Sequence, residues 1–337
     1  MRLVNFNVEW MNNWFKVGST AAFRENNPAQ GIDDVDDLAK RVAKLIKTMD
    51  PDILTVEEGP SDIKEMELFV RTYLCSHDSP MFDIFGGIDG AQQKIYALVK
   101  KNGKLTNYKA ADDEDTLKLK DKWESDIQGK GVVEMYHFTR LPLVIEGEYG
   151  NGKKCKIIAM HTKSNYVQDG EKLWKNPATR QQFIDIALVD RRRISSEAMR
   201  VRMYMDDLLS KDLKARIIIT GDLNDGPGLD YFEMRYLTHN VIDIILGSTF
   251  EYESLFRHSF IDRVKAEDRY TVEFYDYVDK QNKKLLLDHI AVSPALAHSI
   301  TSSGIFHAEY NAALQPEAKG DRQKRPSDHR PVYVDIE

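Results

Sequence analysis

The stretch Ile217-Ile218-Ile219-Thr220-Gly221-Asp222-Leu223-Asn224 constrains this chain more than any other. An unbroken β-branched run favours a buried strand, and the glycine with its polar neighbours ends that strand abruptly. Side chains two apart at a strand end share a side, so Asp222 and Asn224 are expected to enter one pocket. A carboxylate supplies charge, and the amide beside it supplies a carbonyl acceptor and an NH2 donor. That pairing suits a hard cation or a phosphate.

The same design, an apolar run stopping at polar groups, recurs along the chain. Residues 2–9 alternate like a strand and end in Asn7 and Glu9. Asp52-Ile53-Leu54-Thr55-Val56-Glu57-Glu58 ends in two carboxylates that must diverge, so only one joins a given pocket. The run before His161 delivers that histidine, Leu285-Leu286-Leu287 delivers Asp288 and His289, and Pro326-Ser327-Asp328-His329-Arg330-Pro331 sets an Asp–His pair before a final strand. Further strand-like runs cover 93–100, 132–138, 142–147, 154–160, 215–220, 271–278, 284–292 and 331–336.

Leu38, Val42, Leu45 and Met49 recur at helical spacing, and a second helix is expected over 62–74. A long helix is expected over 178–210, with Ile194, Ala198, Val201, Met205 and Leu208 as its apolar stripe. Arg191, Arg192, Arg193, Arg200 and Arg202 occupy its other faces. They read either as a solvated surface of snorkelling side chains or as a basic rim for phosphates. Lys163, Lys172, Lys175 and Arg180 in the preceding loop would extend that rim. Residues 11–33 read as a polar loop and 101–130 as a charged surface excursion. With no repeat and no linker, the pattern implies one α/β domain of packed sheets over residues 1–337.

The bulk numbers narrow the function classes. Forty-seven basic against 54 acidic residues leave a net charge of −7, which disfavours a generic polyanion coat but allows a local basic groove. Cys75 and Cys155 are too few for a disulfide framework or a thiolate metal site, as in a reducing compartment. The opening residues lack the apolar core of an export signal, and no apolar run is long enough for a bilayer, so a cytoplasmic protein is expected. Oligomeric state has no signature in the sequence.

Each strand-end group is ordinary alone; their order is not. Asn7-Val8-Glu9, Pro51-Asp52 through Glu58, Arg140-Leu141-Pro142, His161-Thr162-Lys163-Ser164, Gly221-Asp222-Leu223-Asn224, Leu287-Asp288 and Ser327-Asp328-His329-Arg330-Pro331 follow one another along the chain. In that order they resemble the endonuclease/exonuclease/phosphatase superfamily, whose fold is the deoxyribonuclease I-like four-layer α/β/β/α sandwich. The resemblance implies a hydrolase that cleaves phosphoesters with Mg2+ or Mn2+. It implies Glu58 as metal ligand, supported by Asn7 and Asp328. It places Asp222 and Asn224 on the attacking water and the scissile phosphate. His329 falls where the family has its general base or transition-state stabiliser, with Asp288 orienting it. His161 would donate to a phosphate oxygen, and Arg140 and Lys163 would bind substrate.

Three departures are visible, at Glu57, Glu9 and Gln93. Glu57 stands where the family usually has Gln, and by strand alternation it should face away from Glu58 as a structural residue. Glu9 stands where a shorter acid or amide is common. Gln93 matches the position of a Glu that partners the mid-chain histidine, and it could hydrogen-bond His161. His289 should face away from Asp288. The His161–Ser164 motif resembles bacterial nuclease-like members, which puts DNA or RNA first as substrate. A phosphatase or phosphodiesterase on a small or lipid phosphate is the alternative, and a non-catalytic binding module that keeps the fold is a third reading.

Overall fold

The computed structural model describes residues 1–77, 79–88, 91–227, 230–236 and 240–337. Its framework is twelve strands: β1 Arg2–Asn7, β2 Ile53–Gly59, β3 Phe82–Gly86, β4 Lys94–Lys100, β5 Leu105–Ala110, β6 Leu143–Tyr149, β7 Lys153–His161, β8 Ile217–Asp222, β9 Arg257–His258, β10 Asp288–Val292, β11 Ile300–Ile305 and β12 Val332–Ile336. They form two six-stranded sheets, ordered β11-β12-β1-β2-β4-β3 and β9-β10-β8-β7-β6-β5.

Alternation along the central strands sorts their side chains into layers. Leu3 and Ile53 of the first sheet meet Ile157, Ala159, Ile218 and Ile290 of the second, and these residues fill the space between the sheets. Val4, Phe6, Leu54 and Val56 point outward to helices α1 (Val35–Met49) and α2 (Ile63–Tyr73). Ile158, Met160, Ile217 and Ile219 point outward to helix α3 (Arg180–Lys211) through its stripe of Ile194, Ala198, Val201 and Met205. The result is a four-layer α/β/β/α sandwich.

Local signals explain the helices. Asp34 caps α1 by accepting from the Asp37 N–H, with Asp36 and Asp37 in the first turn. Asp62 and Glu65 close a reciprocal capping box on α2. Helix α3 has 32 residues and spans roughly 48 Å, so it overshoots the sheet it covers. Its first turns carry Phe183, Ile184 and Ala187 into a separate aromatic cluster.

Several sequence expectations are corrected. Residues 101–130 are not merely a surface excursion: β5 is the edge strand of the second sheet, with Leu105 buried. Only alternate positions of an edge strand need to be apolar, and Thr106, Asn107 and Lys109 hide the signal. Leu119 and Ile127 from the same stretch are buried, Leu119 against α3. The 11–33 loop is anchored by buried Met11, Trp14, Phe15 and Ile32. The run over 132–138 shrinks to Glu134–Tyr136, paired with Trp123–Ser125. The run over 284–292 breaks at Leu286-Leu287: the part before it closes a hairpin of Val272–Asp276 with Gln281–Leu285, and β10 begins at Asp288. Among the described residues no helix is long and apolar enough to cross a membrane.

Candidate active site

The strand ends that carry chemistry lie side by side. β1 and β2 run parallel with Asn7 opposite Glu57. β7 and β8 run parallel with His161 opposite Asp222, and β10 lies antiparallel to β8 with Asp288 opposite Asp222. Asn7, His161, Asp222 and Asp288 take the inward positions of their strands, so the apolar filling between the sheets gives way to polar groups at this end. Gly221 is required by packing. A Cβ at this residue would lie 1.7 Å from the Met160 carbonyl oxygen on β7. Glu58 (φ 54°) and Asn224 (φ 50°) both adopt the left-handed region that disfavours side chains, a strain the surrounding bonds hold in place.

Hydrogen bonds join the groups into one cluster. The Asn7 amide donates to Asp222 Oδ2 at 2.9 Å and to Glu58 Oε1 at 3.4 Å. Asn7 Oδ1 is taken by the Glu9 N–H, so the amide presents its NH2 side to the carboxylates. Asp222 Oδ1 accepts the Asn224 N–H at 2.9 Å. His329 Nδ1 lies 2.7 Å from Asp288 Oδ2, and its Nε2 lies 3.7 Å from Asp222 Oδ2 and 3.9 Å from Asp328 Oδ1. His161 Nε2 faces Asp222 Oδ2 at 3.5 Å, while its Nδ1 is buried with no partner among the described residues.

The electrostatics follow from burying this many acids together. Burial and then the charge of Asp328 push the Glu58 carboxyl up to about 7, against the Trp10 N–H that it accepts. Burial raises Asp222 to about 6, opposed by His329 and the bonds from Asn224 and Asn7. Burial pulls the His329 imidazole down, but Asp288 and Asp222 outweigh it and hold the ring well above its ordinary value, in the charged form. His161 goes the other way: burial, then Arg140 and His329, keep it neutral. Glu57 is fully buried, and neither of its carboxyl oxygens has a partner among the described residues. Burial and then Asp288 and Asp222 raise its carboxyl well above the usual range, so it stands as a neutral acid.

A divalent cation fits this set. Asp222 and Asp288 bring carboxylate oxygens within 4.8 Å of each other beside the charged His329 ring, and Asp288 Oδ1 is buried without a partner among the described residues. Glu58 and Asp328 repel each other across the same opening. A cation relieves that repulsion, and oxygen donors suit Mg2+ or Mn2+.

Solved structures share this arrangement of layers. An endonuclease/exonuclease/phosphatase from Bacteroides vulgatus superposes with a TM-score of 0.52 at 14% identity, covering 100% of this chain and 98% of that one. Truncated Caenorhabditis elegans TDP2 gives 0.51 at 12% identity, covering 99% and 96%. The fold is deoxyribonuclease I-like. A mannosyl-6-phosphatase from Bacteroides thetaiotaomicron shares it, with a TM-score of 0.50 at 13% identity over 100% and 99% of the two chains. No protein-family model matches the sequence, and no curated protein matches it.

Around this cluster of the deoxyribonuclease I-like fold, the supporting residues are arranged differently from the sequence expectation. Gln93 does not touch His161: its NH2 donates to Glu58 Oε2 at 2.7 Å, and its Oε1 accepts from Arg140 at 2.8 Å. Arg140 also donates to the Thr162 carbonyl and is half-buried at the rim. The Lys163 ammonium is engaged by the Ser164 carbonyl at 2.7 Å and by Asp190 at 3.5 Å. The helical arginines are not a free basic rim. Arg191 pairs with Asp230, Arg193 with Asp190 and Arg202 with Asp206, while Arg192 and Arg200 donate to the carbonyls of Gln128 and Lys118. His289 faces away from the site, bonded to His258 and the Asp225 carbonyl.

Two supports carried no sequence signal. Buried Glu197 on α3 accepts from the Thr139 N–H and hydroxyl and from the Tyr136 hydroxyl with one oxygen, and from the Lys163 N–H with the other. It ties together the loops that hold Arg140 and Lys163. Buried Arg322 donates to the carbonyls of Val8, Glu9, Arg325 and Pro326, and Glu9 pairs with Arg322 and Arg325. That bracket fastens the Ser327-Asp328-His329 turn to the end of β1. Glu9 therefore braces the turn rather than entering the cluster. Spacing along the chain has no bearing on either support, because each acts on segments distant in sequence.

Proposed function

We propose that this protein is a divalent-metal-dependent phosphodiesterase, a nuclease acting on DNA or RNA, with residues 1–337 working as one domain. The observation that carries this reading is the continuous chain of contacts Glu58–Asn7–Asp222–His329–Asp288 at the shared end of both sheets. Glu58 and Asp328 are the residues to hold Mg2+ or Mn2+, with Asn7 fixing Glu58 and Asp222 beside it. Bound there, the ion supplies positive charge for the phosphate and leaving oxygens.

The chain's own groups divide the remaining work. Asp222, raised to about 6, takes the proton of the attacking water as its oxygen bonds to phosphorus. Charged His329 donates Nε2–H toward the phosphate and gives its proton to the leaving oxygen as that bond breaks. Asp288 fixes the ring by accepting at Nδ1 and favours its charged form. Asn224 and Arg140 hold phosphate oxygens, and Lys163 supports them from the adjoining loop. His161, neutral and covered, acts on Asp222 rather than reaching the phosphate.

A second reading, hydrolysis of a small or lipid phosphate, is favoured by one observation: Arg191, Arg193 and Arg202 of α3 are each paired with a carboxylate of the protein and offer no track for a nucleic-acid backbone along the middle of the helix. Purified protein with Mg2+ is to be tested on DNA, RNA and small phosphoesters, with chelator as control. Metal-dependent cleavage of nucleic acid is the expected result. Turnover of small esters with nucleic acid untouched would establish the second reading instead.

A further inference from the structure

Three segments leave the candidate site and build one face beside it. The first follows β7. Asn165 in this segment donates to the Asn224 carbonyl at 3.1 Å, and Tyr166 next to it is 70% exposed. The second follows Asn224 and carries Tyr231, whose ring lies 5.6 Å from that of Trp174. The third is the hairpin Val272–Asp276 with Gln281–Leu285. Its foot is stapled to the site: the Thr271 hydroxyl accepts the Asp288 N–H at 3.3 Å, and the Thr271 carbonyl accepts the Arg330 N–H at 2.9 Å. On this hairpin Tyr275 is 58% exposed.

The face is one packed unit. Tyr277 sits 6.0 Å from Phe183 of α3, and its hydroxyl presses on the Gly170 backbone so closely that a Cβ there would lie 2.2 Å away. The hydroxyls of Tyr166 and Tyr277 lie within electrostatic range of each other. Cations are set among the rings: Arg180 lies over Trp174 at 5.1 Å and Arg235 over Tyr231 at 4.5 Å. Lys172 has no carboxylate partner among the described residues. Of the acids nearby, Glu171 is paired with Lys175 and Asp276 with Lys283.

Exposed planar rings with cations between them suit unpaired bases, which stack on aromatic side chains whatever their sequence while the backbone meets the cations. A duplex keeps its bases stacked on one another and has no use for such a face. A lipid surface would call for aliphatic side chains at the tips, whereas tyrosines predominate here. We propose that this face binds the unpaired bases of a single-stranded nucleic acid whose scissile phosphate lies at His329. This inference rests on the nuclease reading and extends it to the strandedness of the substrate.

The test compares wild type, the double variant Tyr166→Ala/Tyr275→Ala and the conservative pair Tyr166→Phe/Tyr275→Phe in Mg2+. Substrates are a short single-stranded oligonucleotide, its duplex and a chromogenic small phosphodiester. The alanine pair is expected to lose about tenfold in kcat/KM on the single strand, chiefly through KM. The phenylalanine pair is expected to keep the wild-type value, and all three proteins to turn over the small diester equally. Equal cleavage of the single strand by wild type and the alanine pair overturns the inference and leaves the nuclease reading standing. So does preference of the wild type for the duplex. Wild-type turnover of the small diester with neither oligonucleotide cut overturns both. Loss of anionic-vesicle binding in the alanine pair, with oligonucleotide cleavage unchanged, assigns the face to lipid and overturns the inference.

Discussion

Asp288 Oδ2 lies 2.7 Å from His329 Nδ1, and the two residues are 41 positions apart, Asp288 at the start of β10 and His329 in the turn before β12. This contact fixes which nitrogen of the ring faces the opening. It also supplies the nearest negative charge to a buried imidazole. Replacing Asp288 with Asn keeps the size of the side chain and removes the charge. Asp288→Asn is expected to lower kcat by on the order of 10²–10⁴-fold while the circular dichroism spectrum stays native. His329→Ala is expected to abolish turnover in a folded protein. Near wild-type rates in either variant would remove His329 from the reaction.

Cation binding should depend on pH through Glu58. Its carboxyl, pushed up to about 7 by burial and by Asp328, binds a cation only after losing its proton. Affinity for Mn2+ or Mg2+ is therefore expected to rise as pH rises through about 7. Glu58→Gln should flatten that dependence and weaken binding on the order of 100-fold. Isothermal titration at pH 6, 7 and 8 measures both, and a pH-independent affinity in the wild type would exclude Glu58 as the ligand.

Glu57 makes an opposite kind of prediction, one about stability. Its carboxyl has an ordinary value of 4.5 and stands well above that in the fold, first through burial and then through Asp288 and Asp222. A group raised in this way contributes its stability below about 4.5, and that contribution is lost as pH rises toward the folded value. Gln has the shape of the neutral acid and no proton to lose. The Tm of Glu57→Gln should match wild type near pH 4.5 and exceed it by a widening margin toward pH 8. A constant difference across that range would show that Glu57 is not held neutral.

Glu197 should act through the loops it ties. Glu197→Ala leaves four part-buried donors without their acceptor and is expected to cost about 2 kcal/mol of stability. Glu197→Gln retains acceptors for part of the set and is expected to fold well. In that milder variant, displacement of Arg140 and Lys163 should raise KM more than it lowers kcat. Steady-state kinetics on one substrate separates the two, and unchanged kinetic constants would reduce Glu197 to a purely structural residue.

What the sequence revealed, and what it hid, divides along a physical line. Central strands buried on both faces, such as Ile217–Asp222, announce themselves by unbroken apolar runs, and their polar ends gather into the candidate site. Edge strand Leu105–Ala110 buries one face only in part and reads as a charged loop. The arginines of α3 show the limit for charge: a cluster of cations in sequence says nothing about whether Asp230, Asp190 or a backbone carbonyl waits for each in space. Glu197 and Arg322 were hidden for the same reason, since each collects partners from segments far apart. Gln93 was placed at the right strand end, yet its partner turned out to be Glu58 and not His161.

The bracket of Arg322 around Val8 and Pro326 gives this protein a late-maturing centre. Strand β12 lies against β1, with Arg2 opposite Asp335, so the turn bearing His329 finds its seat only when the two ends of the described chain have met. Contacts so distant along the polymer form slowly. A nascent chain still emerging from the ribosome would carry Glu58 and Asp222 but not yet the histidine opposite them. If the proposed reaction runs through His329, a chain shorter than 329 residues would be inert however well its earlier strands had paired.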